Sequence, residues 1–155
     1  MQSLNFPAYT FKIKTEEQRN YIFDNIRKRY VILTPEEWVR QHLITYLTEE
    51  KKYPASLMAV EMSLKINKME RRADIVLFSR LGKPFMIVEC KAPGVKITQN
   101  AFDQAARYNM DMKVEYLAVS NGLVHYCARL NHADHSWEFL REIPDFIRSG
   151  LNTAD

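Results

Sequence analysis

Apolar positions change their spacing several times along the chain, and each change marks an element. Thr34-Pro35-Glu36-Glu37 reads as a capping box with proline at the first helical position. Trp38, Val39, Leu43, Tyr46 and Leu47 follow at close to helical spacing, which predicts a helix running to about Lys52, before Tyr53-Pro54. Upstream, residues 15–33 carry two patterns. Thr15-x-x-Gln18 fits a helix cap, whereas Tyr21-Ile22-Phe23 and Tyr30-Val31-Ile32-Leu33, on either side of Asp24-Asn25, fit a hairpin. Periodicity does not decide between them.

Residues 57–66 alternate as a strand, with Leu57, Ala59, Glu61 and Ser63 on one face and Met58, Val60, Met62 and Leu64 on the other. The apolar runs Ala73–Phe78 and Phe85–Val88 enclose Arg80-Leu81-Gly82-Lys83, which predicts a β-hairpin. Thr98 is placed to cap a helix reaching about Met110, with Ala101, Phe102, Ala105 and Ala106 as its apolar face. Strands are expected over Val114–Val119, over Leu123–Leu130 after the Asn121-Gly122 turn, and around Trp137–Leu140. Pro144 opens a short terminal helix, Asp145–Arg148. The order helix, three strands, helix, strands predicts an α/β domain with one central mixed sheet flanked by helices.

Composition narrows the class of protein. At 155 residues the chain is long enough for one domain with a real core. The two cysteines, Cys90 and Cys127, are too few for a disulfide scaffold and are expected as reduced thiols in a cytoplasmic protein. No apolar run approaches the ~20 residues of a membrane span, and the first residues do not have the pattern of a secretory signal. Lys plus Arg number 22 against 19 Asp plus Glu, a net charge of +3 that permits nucleic-acid binding without requiring it. None of the four glycines begins a phosphate-cradling loop, which excludes a P-loop motor and a dinucleotide fold.

The hairpin carries the chemistry. With its turn centred between Leu81 and Gly82, Val76 faces Ile87 and Asp74 faces Glu89, with opposed Cβ atoms ~5 Å apart. Asp74, Val76 and Phe78 then share a face with Phe85, Ile87, Glu89 and Lys91. The other face, with Ile75, Leu77, Met86, Val88 and Cys90, is apolar as well, so the sheet is expected to be covered on both sides. Two carboxylates converge there with a lysine. A divalent cation resolves the repulsion, because Asp and Glu supply the hard oxygens that Mg²⁺ takes alongside water and phosphate. Lys91 is placed to hold an attacking water. The competing expectation is a local salt bridge between Lys91 and the two acids. A register slip of one residue would reverse every facing.

Arg72-Ala73-Asp74-Ile75-Val76, then Val88-Glu89-Cys90-Lys91-Ala92-Pro93, then Gln104-x-x-x-Tyr108 resembles the PD-(D/E)XK nuclease superfamily. More narrowly, the chain resembles the N-terminal nuclease domain of type I restriction enzyme R subunits, in a short standalone form. Leu33–Gln41 and Asn121-Gly122 with His125-Tyr126 add to the likeness, which runs from about Phe6 to Pro144. The resemblance implies a restriction-endonuclease-like core of helix, three strands, helix and strand, and Mg²⁺-dependent hydrolysis of DNA phosphodiesters, with Mn²⁺ as a substitute. It implies Asp74 and Glu89 as metal ligands and Lys91 as the catalytic lysine. Gln104 and Tyr108 match the helix that supports the lysine and the DNA backbone. Residues 1–33 are then an N-terminal extension, 34–120 the core of a single nuclease-like domain spanning 1–155, and 121–150 its last strands and short helix. Motor or other restriction-modification subunits are the implied partners, and ATP-driven restriction is not expected of this chain alone. A nuclease-fold DNA-binding or adaptor module is the other functional class.

Several residues carry two readings. Glu37 is an extra acid of the site or simply the capping-box glutamate, and Glu61 is a third acid near the metal or a solvated strand residue. Gln104 and Tyr108 are neighbours on one helix face. Lys68, Arg71 and Arg72 lead into Asp74, where a DNA backbone would arrive. Cys90 points to the core. His132-x-x-His135 is expected as a solvated loop rather than a metal site. A homodimer is expected because double-strand cleavage needs two cuts and each chain has one site.

Overall fold

A computed structural model of the chain describes residues 1–66 and 68–146. Three short strands come first: β1 (Ile13–Glu16), β2 (Arg19–Asp24) and β3 (Arg29–Ile32). Helix α1 (Pro35–Glu49) and a 3-10 turn over Ala55–Leu57 lead to β4 (Met58–Ile66), β5 (Met69–Phe78) and β6 (Pro84–Cys90). Helix α2 (Gln99–Met110) then crosses to β7 (Tyr116–Ser120), β8 (His125–Asn131) and β9 (Ser136–Leu140). β1–β3 form an antiparallel sheet, and β4 to β9 form a mixed sheet in chain order. Its β6–β7 pair is parallel, and α2 supplies the crossover that a parallel pair requires.

The small sheet settles the ambiguity of residues 15–33 in favour of strands. Glu16 pairs with Arg19, and the two residues between, Glu17 (φ 49°) and Gln18 (φ 66°), are both left-handed. That is the two-residue hairpin loop whose twist matches the strands, built here without glycine or asparagine. Thr15 caps no helix; its hydroxyl donates to Asn20 Oδ1 at 2.7 Å. The β2–β3 turn hangs on Asp24, which is fully buried. Its oxygens accept from the backbone N–H groups of Ile26 and Arg27, from Arg27 Nε and from Gln41 Nε2, all within 2.9 Å.

Burial alone would raise the Asp24 pKa, but the Arg27 N–H groups and the Gln41 amide outweigh it and hold the carboxyl below its ordinary value of 3.8. The folded state therefore binds this proton later than the unfolded one as pH falls. The stabilisation is complete above the ordinary value and is lost as pH falls through the folded value. Urea unfolding from about pH 6 down to about pH 2 should show this acid loss, flattened in Asp24→Asn. Equal acid slopes in the two proteins would contradict it.

Helix α1 starts where expected, with Thr34 Oγ1 accepting from Glu37 N at 3.0 Å and proline in the first turn. It ends at Glu49 rather than Lys52, because Lys52 is left-handed (φ 65°) and turns the chain away. Val39, Leu43, Ile44 and Leu47 of α1 pack on Ile75, Leu77, Met86 and Val88 of the sheet. Phe102, Ala106 and Met110 of α2 pack on the opposite face, on Val76, Ile87, Leu117 and Ala128. The mixed sheet is thus covered on both sides, with α1 on one and α2 on the other. β8 begins at His125 because the N–H groups of Leu123 and Val124 are both held by Asn121 Oδ1 at 2.9 Å. The expected helix over residues 145–148 runs beyond the described residues. No helix among the described residues is long and apolar enough to cross a membrane.

Over Ile75–Leu77 the hairpin register is the expected one, with Ile75 facing Val88, Val76 facing Ile87 and Leu77 facing Met86. A bulge between Leu77 and Phe78 sets Phe78 against Pro84, and Phe85 packs on the α1 side rather than with Ile87. Asp74 and Glu89 do not form the expected rung. The facing of β4 and of the start of β5 also departs from the expected one. Met58 and Val60 pack on the α1 side, but Met62 and Leu64 pack on the α2 side. On β5, Ile75 and Leu77 pack toward α1 while Ala73 joins Val76 toward α2. Alternation therefore reverses at Glu61 and Asp74. Glu61 takes a left-handed backbone (φ 56°), and the ladder passes from Val60–Ile75 to Met62–Ala73 without a pair between them. The reversal turns both carboxylates toward α1, so Asp74 leaves the Val76 face on which strict alternation had put it.

Candidate active site

Glu89, Lys91, Gln104 and Tyr108 line one open cavity of about 390 Å³, together with Lys96 and Val95. Glu89 stands on the α2 side near the end of β6. Asn109 of α2 donates its amide to Glu89 Oε1 at 3.0 Å and is itself anchored on the Ala105 carbonyl at 2.8 Å. Lys91 lies just past the strand end, where its backbone N–H is tied to the Ser120 carbonyl at 2.8 Å. Its ammonium forms no hydrogen bond or ion pair with any described residue. The salt bridge between Lys91 and the two acids is therefore not formed. Gln104 and Tyr108 sit one helical turn apart on α2, both exposed toward the same cavity.

Asp74 is held from the other side. Its Oδ2 accepts from Cys90 N at 2.7 Å, across the start of the hairpin, and its Oδ1 accepts from Arg40 Nη2 at 3.0 Å. Arg40 comes from α1, is 3% exposed, and also reaches Glu37 at 2.6 Å, Glu61 at 2.8 Å and Glu36 at 3.4 Å. Burial would lower its pKa, but the surrounding charges, Glu37 and Asp74 among them, raise it instead. Sequence reasoning assigned Arg40 no role, although a signal was present. Arg40 lies three residues before Leu43 and seven before Leu47 on the core stripe of α1. A charged residue on a buried stripe needs carboxylate partners.

The partners extend as a chain. Glu37 does not close a capping box, because its carboxylate turns away from Thr34 to Arg27 at 2.9 Å, to Arg40 and to Gln41. Arg27 in turn holds Asp24, so buried ion pairs run from the small sheet through α1 to Asp74. Glu61 accepts from Arg40 and from Arg72; burial would raise its carboxyl, but the two guanidiniums hold it below the usual range. Glu36, in the first turn of α1 with about half its side chain (48%) accessible, is pushed up by the partial desolvation of the rest and by the nearby charge of Asp74.

The basic residues before Asp74 divide. Lys68 is exposed at the β4–β5 turn. Arg72 is exposed but paired with Glu61. Arg71 is largely buried, with its guanidinium 3.8 Å from the Tyr108 ring centre and 3.5 Å from Asp111, so it braces the Tyr108 side of the cavity. Cys90 is buried and its thiol is pushed well above the ordinary range by burial, which makes it a core residue. The His132 ring lies 2.7 Å from the Val114 carbonyl, apart from the cavity. Among the described residues no three His, Cys, Asp or Glu side chains are grouped to hold a metal ion. Asp74 does not line the cavity that Glu89 and Lys91 share, so the two carboxylates do not face each other as expected; they approach only where Asp74 Oδ2 takes the N–H of Cys90, the residue after Glu89.

Comparison with known proteins agrees with this architecture. No curated protein matches the chain. Among solved structures, it is similar to a fragment assigned as an HsdR subunit of a type I restriction enzyme from Vibrio vulnificus YJ016, with a TM-score of 0.52 at 18% sequence identity. The match covers 75% of this chain and 24% of that one, so the chain spans about a quarter of that fragment's length, and at this identity the likeness concerns the fold. The family model for the type I restriction enzyme R protein N terminus matches residues 35–144, from the first residue of α1 to the segment beyond β9. By that match over most of its length, the chain belongs to the type I restriction enzyme R protein N-terminal family.

Proposed function

We propose that this chain is a divalent-metal-dependent deoxyribonuclease acting on DNA phosphodiester bonds. One observation carries the proposal: Glu89, Lys91, Gln104 and Tyr108, from a strand end and a facing helix, meet in one open cavity with the lysine unpaired. The order α1, β4–β6, α2, β7 supports a restriction-endonuclease-like core. Glu89, with Asp74 reaching round the end of β6 beside Cys90 N, would hold the metal, Mg²⁺ or Mn²⁺. When bound, the metal supplies positive charge against the charge that builds on the phosphate. Lys91 hydrogen-bonds the attacking water and steadies the charge of the reacting oxygen at its Nζ. The Gln104 amide and the Tyr108 hydroxyl orient the DNA backbone, with Tyr108 fixed by Arg71. Lys96 adds positive charge at the mouth, and Lys68 and Arg72 border the approach to Asp74. The setting proposed is the cytoplasm, with restriction-modification subunits as partners and two copies of the chain for a double-strand cut.

A second reading has its own support. The Arg40 guanidinium already sits on Asp74, which suits a nuclease-fold DNA-binding or adaptor module with little activity of its own. Calorimetric titration with Mn²⁺ separates the two. The nuclease reading expects binding that is lost in Asp74→Ala combined with Glu89→Ala and kept in Lys91→Ala, because an ammonium cannot ligate a metal. Unchanged binding in the double variant would remove the metal site.

A further inference from the structure

The cavity does not end at Lys96. Glu89 pairs across the sheet with Val119, and Val119 pairs with Tyr126, so the three residues form one continuous rung. Tyr126 therefore stands on the same face as Glu89, two strand spacings away, about 10 Å. Tyr126 is 40% exposed as a residue, and Phe139 beside it is 43% exposed. Both rest on Phe102 of α2, with ring centres 6.3 and 4.8 Å away, and Phe102 is itself buried. Tyr126 and Phe139 border a shallow notch of about 60 Å³ that shares Ile97 with the larger cavity. Two open aromatic rings on a fixed floor thus adjoin a cavity whose Lys91 and Lys96 have no ion-pair partner among the described residues.

We infer that Tyr126 and Phe139 form a stacking ledge for an unpaired nucleobase of the strand whose phosphate occupies the Glu89–Lys91 cavity. The inference rests on the nuclease reading for the position of that phosphate. The charge of the cavity suits a polyanion and the open rings suit a flat apolar face, and single-stranded nucleic acid presents both together. In a duplex the base faces are hidden by stacking, and a protein ring reaches one only where a base is unpaired or splayed out. The substrate class is accordingly DNA with an unpaired stretch, either a single strand or a duplex opened locally as negative supercoiling favours, with the strand running from Lys91 past Ile97 to Tyr126.

Fluorescence anisotropy tests this with a labelled DNA oligonucleotide, single-stranded or annealed to its complement, in buffer with chelator so that binding is read without cleavage. The parent protein should prefer the single strand. Tyr126→Leu, which keeps apolar bulk but removes the flat ring, should weaken single-strand binding about tenfold, and Phe139→Leu should weaken it in the same direction. Tyr126→Phe should stay within about twofold of the parent, since the ring and not the hydroxyl stacks. Thermal melting checks that each variant is folded. Parental single-strand binding in both leucine variants overturns the ledge, and so does an equal loss in Tyr126→Leu and Tyr126→Phe. A dimer in light scattering that both leucine variants dissolve also overturns it, in favour of a contact between copies. Metal-dependent plasmid nicking, read alongside, keeps the two proposals apart. Nicking with parental binding in the leucine variants overturns the ledge alone. Ring-dependent single-strand binding without nicking overturns the nuclease reading and supports the ledge.

Discussion

Replacing Arg40 with alanine should cost the fold roughly 3–5 kcal/mol, the scale expected when one member of a buried ion-pair network is removed. The guanidinium is 3% exposed and touches Glu36, Glu37, Glu61 and Asp74, of which Glu37 is also buried. Without it, Glu37 keeps Arg27, and Glu61 keeps Arg72, but Asp74 keeps only the Cys90 N–H. The acids left short of partners should then bind protons more readily in the folded state than in the unfolded one. A raised folded pKa contributes stability below the unfolded value that fades as pH rises. The deficit of Arg40→Ala should therefore be largest at neutral pH and shrink toward about pH 4. Urea unfolding at several pH values measures it. A loss below about 1 kcal/mol at neutral pH would mean that solvent screens these charges as it does at a surface.

The second large effect is on chemistry. Lys91→Ala should lower DNA cleavage by about 10²–10³-fold, the range for removing one preorganised donor that stabilises charge building in the transition state. DNA binding should change only by the loss of one cationic contact, and Mn²⁺ binding should persist. Lys91→Arg should not restore activity, because a guanidinium keeps its charge and delivers its donors in a fixed fork rather than from one rotatable point. Plasmid nicking beside oligonucleotide binding measures both quantities. An adaptor predicts no cleavage to lose and no difference between the variants.

The sequence carried the parts of this structure that local rules determine. The α1 cap was visible because threonine and proline act on the first helical turn. The register of Ile75–Leu77 against Met86–Val88 matches the expected one although Phe78 and Ser79, nearer the turn, lie one residue out against Pro84 and Lys83, and the bulge at Leu77/Phe78 makes up the difference. The same arithmetic failed at Glu61 and Asp74, where a left-handed glutamate reverses the alternation of its strand. No local rule places a glutamate in that conformation; Arg40 and Arg72, which hold its carboxylate, come from elsewhere in the fold. The β1–β2 loop was hidden for a related reason, since Glu17-Gln18 lacks the usual chemistry of left-handed residues. Glu89 and Lys91 were placed on one face by alternation, and Gln104 and Tyr108 on one face by helical spacing. Only tertiary packing brings the two pairs round one cavity. Arg40 stands on the core stripe of α1 with Glu36 and Glu37 one helical turn before it, a signal that spacing alone offers, but Glu61 and Asp74 lie 21 and 34 residues away and are brought to it by packing.

Whether this cavity cuts DNA with a divalent metal is decided by incubation of the purified chain with supercoiled plasmid in Mg²⁺, in Mn²⁺ and in chelator. Nicked or linear product is expected with metal and none in chelator, without a requirement for ATP, and the product should be lost in Asp74→Asn and Glu89→Gln. Intact plasmid in both metals, from protein that demonstrably binds DNA, would contradict the nuclease reading.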